Sequence, residues 1–509
     1  MPNTGGLKGY YVPDTLPHPA LEISGSKSNV LVTLPGVPIN FILQTTTNSS
    51  ASTGWSNVPY ADEWFGVKTN VSFPATNRQQ YFRLKRLDMF TIPLFQLSIF
   101  FNGLLEFTWN ATLTVNGRVH ANGNIFVGSS SDLTFNNTVT CTGVLVKTNW
   151  DGHTVASMTG NITYAGTPGY STNTQALPIF SGGSTPSDCR EIINQPPAGE
   201  TLIWGLAYGR YYYKAGVVLL ISNSTVTAMF KSAPGDNPTV LAVPYVPTDY
   251  AGVTSNFPFL SLSNTFTDGR EARKTVKVTQ IDIGKLDTWL RTNQWVLAKF
   301  PPLSPGCPNV LYVADNRTTL ANELAAIRLS NAAIIPTNMT PQGPTGFTVA
   351  TPNPLYIWGN YNCPDPAALG STNTSSSFPA SLVCDALTIL SPGWNDAVSG
   401  ASLSSRRAVT TTVNAAILAG MVYSTGPDAN SFSGGVVNLP RLLEDWTGNN
   451  LWLNTSLVNL FNSARATNQF QSAGVYYYAP TRRITFDANF TNPLKLPPGA
   501  PSLGYIIEP

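Results

Sequence analysis

Charged side chains are scarce in this chain of 509 residues. Lysine, arginine, aspartate and glutamate together make up 11% of it, whereas an ordinary soluble domain contains about 25%. The 29 basic and 27 acidic residues nearly cancel, leaving a formal net charge of +2. Nucleic-acid binding normally needs a continuous basic surface. The longest basic cluster here is Arg83-Leu84-Lys85-Arg86, so we expect no nucleic-acid partner.

Long apolar runs are also absent. A helix that spans a bilayer needs about 20 consecutive apolar residues, and the nearest candidate, Ile92 to Phe107, is interrupted by Gln96, Asn102 and Glu106. We expect buried strands there and no transmembrane segment in this chain. The N-terminal residues have neither the basic start nor the apolar core of a signal peptide. If the protein is exported, its targeting segment is not in this sequence.

Residues for the common catalytic motifs are few. The sequence has three histidines, His18, His120 and His153, and they are far apart. This excludes a metal motif of the HExxH type, which needs two histidines on one helix face. No GxSxG, Walker, GxGxxG or CxxC motif occurs, so serine-hydrolase, nucleotide and thiol-redox functions have no anchor. Of the five cysteines, Cys363 and Cys384 could close one loop, but free buried thiols explain all five equally well. We expect no cofactor.

Asparagine, threonine, serine and glycine take the place of the missing charge. The apolar fraction is 42%, and there are 41 glycines and 40 prolines. These residue types favour turns and exposed strand faces and weaken long helices. From Leu113 onward, apolar runs of two to four residues alternate with corners such as Asn116-Gly117 and Asn122-Gly123, whose residues tolerate a left-handed backbone. This texture predicts a coil of very short strands.

The C-terminal third repeats this texture. Ile417, Val437 and Leu457 are regularly spaced at the interval of about 20 residues that one rung of a parallel β-solenoid needs. Segments at Leu355 and Asp385 would be preceding rungs. Three corner asparagines are candidates for a side-chain ladder: Asn414, Asn438 and Asn454. The predicted fold is therefore mainly β, with a parallel β-solenoid, or β-helix, built from the N-terminal and C-terminal regions.

The middle of the chain has a mixed pattern and predicts an inserted α+β module. Arg210 to Phe230 reads as a hairpin, and Thr279 to Asn293 as a strand followed by a helix. The spacing of Leu320, Leu324 and Ile327 predicts a second helix, capped by Thr318 or Thr319. The expected organisation is N-terminal strands and an irregular arm (1–92), a first solenoid segment (93–194), the inserted module (195–350) and a C-terminal solenoid segment (351–509).

A pair of carboxylates is the first candidate for chemistry, because β-solenoids often cleave polysaccharides and glycoside hydrolysis needs two carboxyl groups about 5–9.5 Å apart. Asp268 and Glu271, in the sequence TDGRE, are the candidate catalytic residues. With Arg270 and Arg273 beside them, they fit a salt-bridged loop as well. Glu444 and Asp445 are adjacent and would point to opposite faces of a strand, which makes them a poor pair.

A metal site and an aromatic site are the other candidates. His120 and His153 could approach one another and, with Asp151, hold a metal, although a histidine in a turn more commonly hydrogen-bonds to a backbone carbonyl. Three tryptophans could stack on sugars if exposed, or fill the core if buried: Trp394, Trp446 and Trp452.

Several motifs resemble a known group of proteins. Asn116-Gly-Arg-Val-His-Ala-Asn-Gly-Asn124, followed by Leu133-Thr-Phe and Val139 to Gly143, is similar to large exported bacterial proteins of the PilX-type pilus-assembly group, which are minor-pilin-like. So are Thr351 to Tyr356, Gly359 to Asn362, and Val436 to Trp446. The similarity covers roughly residues 80 to 505. It implies an extracytoplasmic β-solenoid body and no particular reaction. Such proteins usually begin with a hydrophobic prepilin-like helix, which this sequence does not contain.

We therefore expect an extracellular or cell-surface structural or adhesive component of a pilus-like assembly. Its partners would be other subunits of that assembly or glycans, whose interfaces are poor in charge at their centre. We favour a role without catalysis. One alternative is a polysaccharide-binding or polysaccharide-cleaving β-helix protein, which tryptophans exposed along a groove with two facing carboxylates would support. Another is a phage or viral surface protein.

Overall fold

The computed structural model describes residues 10–11, 22–25, 29–34, 41–47, 54–58, 69–74, 80–86, 89–108, 110–129, 131–148, 158–172, 174–175, 186–200, 209–233, 236–300, 307–341, 343–425, 431–470 and 474–506. In these ranges the chain is mainly β, as predicted. None of the helices found there combines the length and the apolar character that a membrane crossing requires.

The strands are mostly short. In chain order they are β1 (Tyr10–Tyr11), β2 (Glu22–Gly25), β3 (Asn29–Leu34), β4 (Phe41–Thr46), β5 (Ser56–Asn57), β6 (Thr69–Pro74), β7 (Tyr81–Arg86), β8 (Met89–Pro93), β9 (Ile99–Phe101), β10 (Leu105–Thr108), β11 (Leu113–Val115), β12 (Val119–Ala121), β13 (Ile125–Gly128), β14 (Leu133–Phe135), β15 (Val139–Cys141), β16 (Leu145–Val146), β17 (Ile162–Tyr164), β18 (Val217–Ile221), β19 (Thr225–Phe230), β20 (Thr239–Pro244), β21 (Leu260–Ser261), β22 (Thr265–Asp268), β23 (Lys274–Asp282), β24 (Val310–Asp315), β25 (Glu323–Ser330), β26 (Met339–Thr340), β27 (Gly343–Pro344), β28 (Phe347–Ala350), β29 (Leu355–Trp358), β30 (Ala380–Cys384), β31 (Leu387–Leu390), β32 (Thr411–Asn414), β33 (Ala416–Ala419), β34 (Pro440–Arg441), β35 (Asn450–Thr455), β36 (Leu457–Asn459), β37 (Thr481–Phe486) and β38 (Ser502–Ile506).

The helices are few and short. The α-helices are α1 (Pro186–Cys189), α2 (Tyr211–Lys214), α3 (Ala251–Asn256), α4 (Ile283–Thr292) and α5 (Gln294–Lys299). Single turns of 3-10 helix occur at Leu94–Gln96, Arg190–Ile192, Pro366–Ala368, Asp396–Val398, Leu403–Ser405, Val436–Asn438, Ala488–Thr491 and Pro493–Lys495.

The N-terminal strands form small antiparallel sheets. One contains β2, β3 and β6, and another contains β4, β5 and β7. A third joins the two ends of the described chain, because β8 pairs on one side with β1 and on the other with the C-terminal strand β38. Strands are therefore present where the sequence predicted them in residues 1–92.

Nine short strands between Ile99 and Tyr164 form three parallel sets. β9, β12 and β15 lie side by side, as do β10, β13 and β16, and β11, β14 and β17. Ile99 pairs with Val119, and Val119 pairs in turn with Val139. Neighbouring side chains in this register, such as His120 and Thr140, are 20 residues apart. Each passage of the chain through the three sets thus takes about one such interval.

One sheet of eleven strands joins this region to the rest of the chain. Its order is β15-β12-β9-β36-β33-β30-β28-β24-β18-β19-β20. From β15 to β18 every pair is parallel, whereas β18, β19 and β20 are antiparallel neighbours. The junction is the pair β9 and β36, where Ile99 lies opposite Leu457 and Phe101 opposite Asn459. Strands from distant parts of the sequence are therefore direct neighbours.

Two further sheets receive the chain between its visits to the eleven-stranded sheet. A seven-stranded sheet has the order β21-β23-β25-β29-β31-β34, with β22 also paired to β23, and β32, β35 and β37 form a parallel three-stranded sheet. The chain passes through β30 in the first sheet, β31 in the second and β32 in the third, and then enters the first again at β33. Segments predicted at Leu355 and Asp385 contribute β29 and β31, which pair in register.

Residues 195–350, expected as an inserted module, extend the same sheets as the C-terminal strands. β18, β24 and β28 belong to the eleven-stranded sheet, and β23 and β25 to the seven-stranded sheet. The hairpin predicted between Arg210 and Phe230 is confirmed as β18 and β19. The helix predicted within Thr279 to Asn293 is confirmed as α4, which buries Ile283, Leu286 and Leu290 and is capped by Asp282.

The helix predicted from Leu320, Leu324 and Ile327 is wrong. Residues Glu323–Ser330 are strand β25, which lies in parallel between β23 and β29. All residues from Leu324 to Ser330 are buried, whereas Leu320 is exposed. A strand that is covered on both faces carries a nearly continuous apolar run, and such a run shows no alternation that would distinguish it from a helix.

The C-terminal repeat differs from the predicted one. Ile417 pairs directly with Leu457, and Val437 lies between them in the 3-10 helix Val436–Asn438. Gly434 and Gly435 adopt φ angles of 91° and 67° just before this helix, a backbone that interrupts a strand. Of the predicted asparagine ladder, Asn454 Nδ2 donates to Asn414 Oδ1 at 2.8 Å across an interval of 40 residues. Asn438 instead donates to the carbonyl of Gly434.

From β12 to β24, the eleven-stranded sheet is buried on both faces. Side chains of one face, such as Ile99, Ile417 and Leu457, belong to the main hydrophobic cluster. Those of the other face, such as Phe100 and Val458, pack in a second cluster with Leu94, Ile192, Tyr211 and Phe490 from connecting segments. A large apolar side chain contributes about 1.5–3 kcal/mol when it is fully buried, so both faces of this sheet stabilise the fold.

Glycines allow neighbouring chain segments to approach closely at one corner. A Cβ atom added to Gly123 would lie 2.7 Å from the carbonyl carbon and oxygen of Gly103, and one added to Gly143 would lie 2.0 Å from Asn124 Oδ1. Neither glycine has a positive φ. The predicted reason for the Asn-Gly corners, a left-handed backbone, is therefore wrong at Gly123: close packing between backbones requires the glycine.

Replacement of Gly123 by alanine is expected to destabilise the protein by about 1–3 kcal/mol, because the new methyl group meets backbone atoms that cannot rotate away. Gly166→Ala is the matched control, since no atom lies within 4 Å of the added carbon, and it should be neutral or slightly stabilising. Midpoints of urea unfolding measure both effects. Equal midpoints for the two variants would contradict the close approach.

Candidate functional site

Of the predicted carboxylates, Asp268 is the last residue of β22 and Glu271 lies in the turn between β22 and β23. Both are buried, at 1% and 0% exposure. Asp268 Oδ1 accepts hydrogen bonds from the backbone amides of Arg270 at 2.7 Å and Glu271 at 3.2 Å. Asp268 Oδ2 accepts one from the hydroxyl of Tyr356 at 2.6 Å. Asp268 and Glu271 are therefore close together, but the Asp268 carboxylate stabilises the turn that follows β22.

Glu271 is engaged in a buried ion pair. Its Oε1 lies 2.6 Å from Nη1 of Arg441, and its Oε2 accepts a bond from the backbone amide of Asn468 at 3.4 Å. Burial raises the pKa of Glu271, although the charge of Arg441 opposes this effect. Both oxygens are occupied and the residue is inaccessible to solvent. The arrangement matches the salt-bridged alternative, with Arg441 from a distant strand in the place expected for Arg270 or Arg273.

The ion pair continues into a wider buried network. Arg441 Nη2 donates to the carbonyl of Ala466 at 2.7 Å, and the amide of Ala466 donates to Asp385 Oδ2 at 3.0 Å. Asp385 is fully buried, forms an ion pair with Arg190 and accepts bonds from Ser463 Oγ and the amide of Ala464, each at 2.7 Å. Burial acts to raise the pKa of Asp385, but Arg190 and these donors lower it overall.

The candidate tryptophans do not form a common groove. Trp394 and Trp446 are buried, at 4% and 0% exposure, whereas Trp452 is half-buried. Trp394 Nε1 donates to Asp396 Oδ1 at 2.8 Å, and its ring packs edge-on against Phe266. Two of the three rings therefore serve the core, and Trp452 alone has surface that a ligand could reach.

The candidate metal site is represented by His120 alone, since His153 and Asp151 lie outside the described residues. His120 is buried, its Nδ1 lies 2.8 Å from Thr140 Oγ1, and its Nε2 lies 3.1 Å from Asn122 Oδ1. Its ring stacks on Phe100. Burial lowers the pKa of His120, partly offset by the bond to Asn122. The described residues contain no group of three or more His, Cys, Asp or Glu side chains placed to hold a metal ion.

The structure contains a polar pocket of about 380 Å³ that we did not predict from the sequence. Its lining includes Glu191, Asn194, Gln195, Asn316 and Arg465. Glu191 pairs with Arg210 and accepts a bond from Asn194 at 2.8 Å, and Asn316 Nδ2 donates to Gln195 Oε1 at 3.2 Å. These groups largely satisfy one another. No sequence signal marks the pocket, because it is built from chain segments far apart in the sequence.

The five cysteines are all free thiols, of which Cys307 is half-buried and the others are buried. Burial raises the pKa of Cys189 and of Cys307 to about 12, which keeps both thiols protonated at neutral pH. Because Cys363 and Cys384 are both free thiols, they do not form the disulfide that could have closed the loop between them.

Comparison with known proteins adds no relative: no family model matches the sequence, and neither a curated protein nor a solved structure is similar to the chain. The resemblance to pilus-assembly proteins stays a prediction.

Glu444 and Asp445 have opposite environments, as expected for neighbours on an extended segment. Asp445 is half-buried, and hydrogen bonding with Thr447 lowers its pKa. Glu444 is fully buried and accepts bonds from the amide and the hydroxyl of Ser391, each at 2.7 Å. Burial raises the pKa of Glu444 to about 7. Glu444 thus changes charge near neutral pH inside the protein.

Removal of one partner of the Glu271–Arg441 pair is expected to cost about 3–5 kcal/mol, because it leaves the other charge buried and unpaired. Arg441→Met and Glu271→Leu should each lower the midpoint of chemical unfolding, and the double variant should be more stable than either single variant. Single variants with unchanged midpoints would contradict a structural role for the pair.

Glu444 is expected to contribute a loss of stability as the pH rises from 4.5 to 7, because the folded side chain keeps its proton over a range in which the unfolded side chain has lost it. The loss attributable to this residue is roughly 3 kcal/mol, and it levels off above pH 7. In Glu444→Gln, whose amide imitates the protonated acid, this part of the slope should disappear. Unfolding free energies of both proteins across pH 4 to 8 measure it; parallel curves would contradict the assignment.

Proposed function

We propose that this chain is an extracytoplasmic structural or adhesive component of a surface assembly, and that its parallel strands coil into a β-solenoid. The observation that carries the proposal is the junction of β9 with β36 in one parallel sheet. It makes the strands from Ile99 onward a direct continuation of the row that ends at Leu457. A coil of this kind stacks its turns, and each turn buries a face that it could not bury alone.

The buried charges support a structural role. The carboxylates predicted as a catalytic pair, Asp268 and Glu271, are occupied by Tyr356, Arg441 and backbone amides. A catalytic pair for glycoside hydrolysis must instead face a sugar and a water molecule. The geometry of these residues therefore favours a scaffold over the alternative of a polysaccharide-cleaving enzyme.

The composition of the surface supports contacts with subunits or glycans. Charged residues are 11% of the chain, and several of them are used inside the fold, in the pairs Arg190–Asp385, Arg328–Asp396 and Arg441–Glu271. Neutral side chains therefore predominate in the chain as a whole. Interfaces are depleted in charge at their centre, so a neutral surface suits repeated contacts. A pilus-like assembly is the setting that the sequence resemblance suggests.

Protease treatment of intact cells tests the proposed location. Antibodies against the full chain should label the surface of the cells that produce it, and external protease should remove the label while a cytoplasmic marker stays intact. Recovery of the protein in the cytoplasmic fraction alone would refute the proposal. Recovery in phage particles but not on cells would favour the viral alternative. Polysaccharide turnover that Asp268→Asn abolishes without a loss of stability would restore the enzyme alternative.

A further inference from the structure

One outward face of the parallel strands carries a row of threonines. Thr114, Thr134 and Thr163 pair in register on β11, β14 and β17. Their neighbours Leu113 and Leu133 are buried, and side chains alternate along a strand, so the threonines point outward. Thr114 and Thr163 are exposed and Thr134 is half-exposed. Hydroxyl groups thus recur at the strand spacing of about 4.8 Å.

Amide side chains run beside this row. Asn116 and Asn136 are exposed and lie two residues beyond Thr114 and Thr134, on the same face of the strands or at their ends. Asn136 Nδ2 donates to Asn116 Oδ1 at 2.9 Å. This bond fixes both amides in one orientation, so their remaining donors and acceptors are ordered before any ligand arrives.

The row continues toward Trp452 at its other end. Strand β37 lies against β11, and the ring of Phe486 is next to Gly117. Arg483 of β37 is exposed and pairs in register with the half-buried Trp452 of β35, with its guanidinium carbon 5.8 Å from the ring centre. The indole N–H of Trp452 makes no hydrogen bond with any described residue. Beyond it, the amide of Gly370 donates to Thr412 Oγ1 at 2.9 Å and closes the row.

We infer that this surface, the polar strip of Trp452, Arg483, Thr114, Thr134 and Thr163 with Asn116 and Asn136 beside it, binds an extended neutral polysaccharide. The inference rests on the proposed adhesive function and names its ligand class. Sugar hydroxyls need donors and acceptors without net charge, which the threonines and asparagines supply. The sugar units of an extended polysaccharide repeat at regular intervals along its axis, as the threonines repeat from one strand to the next. The indole ring and the guanidinium offer an apolar plane and further donors at one end.

Other partners fit the polar strip less well. Arg483 is its one cation, which is too little for a nucleic acid or an acidic polysaccharide. The strip has no large apolar side chain other than Trp452, whereas a stable protein interface is built around several buried aromatic or aliphatic anchors. Threonine is β-branched and stiff at χ1, so its hydroxyls lose little entropy on binding.

Binding is tested with the full chain and three neutral polysaccharides: hydroxyethyl cellulose, glucomannan and dextran. Polygalacturonate is the charged comparison. The wild type should be retarded in native gels that contain at least one of the neutral polymers. Thr134→Lys should weaken this binding by about tenfold or more, because it places a charged chain across the strip. Trp452→Phe, which keeps an aromatic ring but removes the indole N–H, should weaken it to a smaller degree.

Thr265→Lys is the matched control, because Thr265 is an exposed threonine on β22 of the seven-stranded sheet, and it should bind as the wild type does. No retardation of folded wild type by any neutral polymer, retardation by polygalacturonate alone, or an equal loss in Thr134→Lys and Thr265→Lys would each overturn the inference. A protein that is exposed on cells but fails here refutes the polysaccharide ligand alone. Absence from the cell surface refutes the proposed function instead.

Discussion

Parallel strands that lie side by side bury the amides and carbonyls of the corners between them, and a buried group without a hydrogen-bond partner costs about 1–3 kcal/mol. Asparagine side chains meet this need in the part of the chain that the structure describes. Asn353 Nδ2 donates to the carbonyl of Asp315 at 2.9 Å, and Asn459 Nδ2 donates to that of Ala419 at 2.9 Å. They bridge neighbouring chain segments without adding charge. This constraint explains why neutral polar residues take the place of lysine and glutamate at these corners.

The buried ion pairs are the exception to this rule. Taking two charges out of water costs several kcal/mol per ion, and their attraction repays this only with good geometry and further hydrogen bonds. Asp385 has both, with Arg190 and donors from residues 463–466 around it. Glu271 and Arg441 likewise tie the turn before β23 to strand β34. These charges fix the positions of long connections relative to the sheets. These charged groups are already paired within the fold, and we assign the proposed function to the outer faces instead.

Sequence reasoning predicted the β-rich class, the hairpin at β18 and β19, and helix α4, because local signals determine these elements: turn residues flanked by apolar runs, and an apolar stripe behind the capping residue Asp282. It failed at β25, whose apolar residues fit a helix as well as a doubly buried strand. It also failed at Val437, which lies in the connection between the paired strands β33 and β36, so that its position in the sequence reflects the length of this connection and not a structural repeat. For the candidate site, sequence reasoning identified two residues that do interact, Asp268 and Glu271. It did not predict that both would be buried. Arg441, the partner of Glu271, lies 170 residues away in sequence, and no local pattern could reveal that contact.

The adjacency of β9 and β36 is the feature from which the proposed coil follows. Nuclear Overhauser effects between backbone amides, measured on perdeuterated protein with protonated amides, test it most directly. The proposed coil requires cross-strand contacts from residues 99–101 to residues 457–459 as well as to residues 119–121, in a parallel pattern. Contacts from 99–101 to 119–121 alone, or an antiparallel pattern with 457–459, would contradict it.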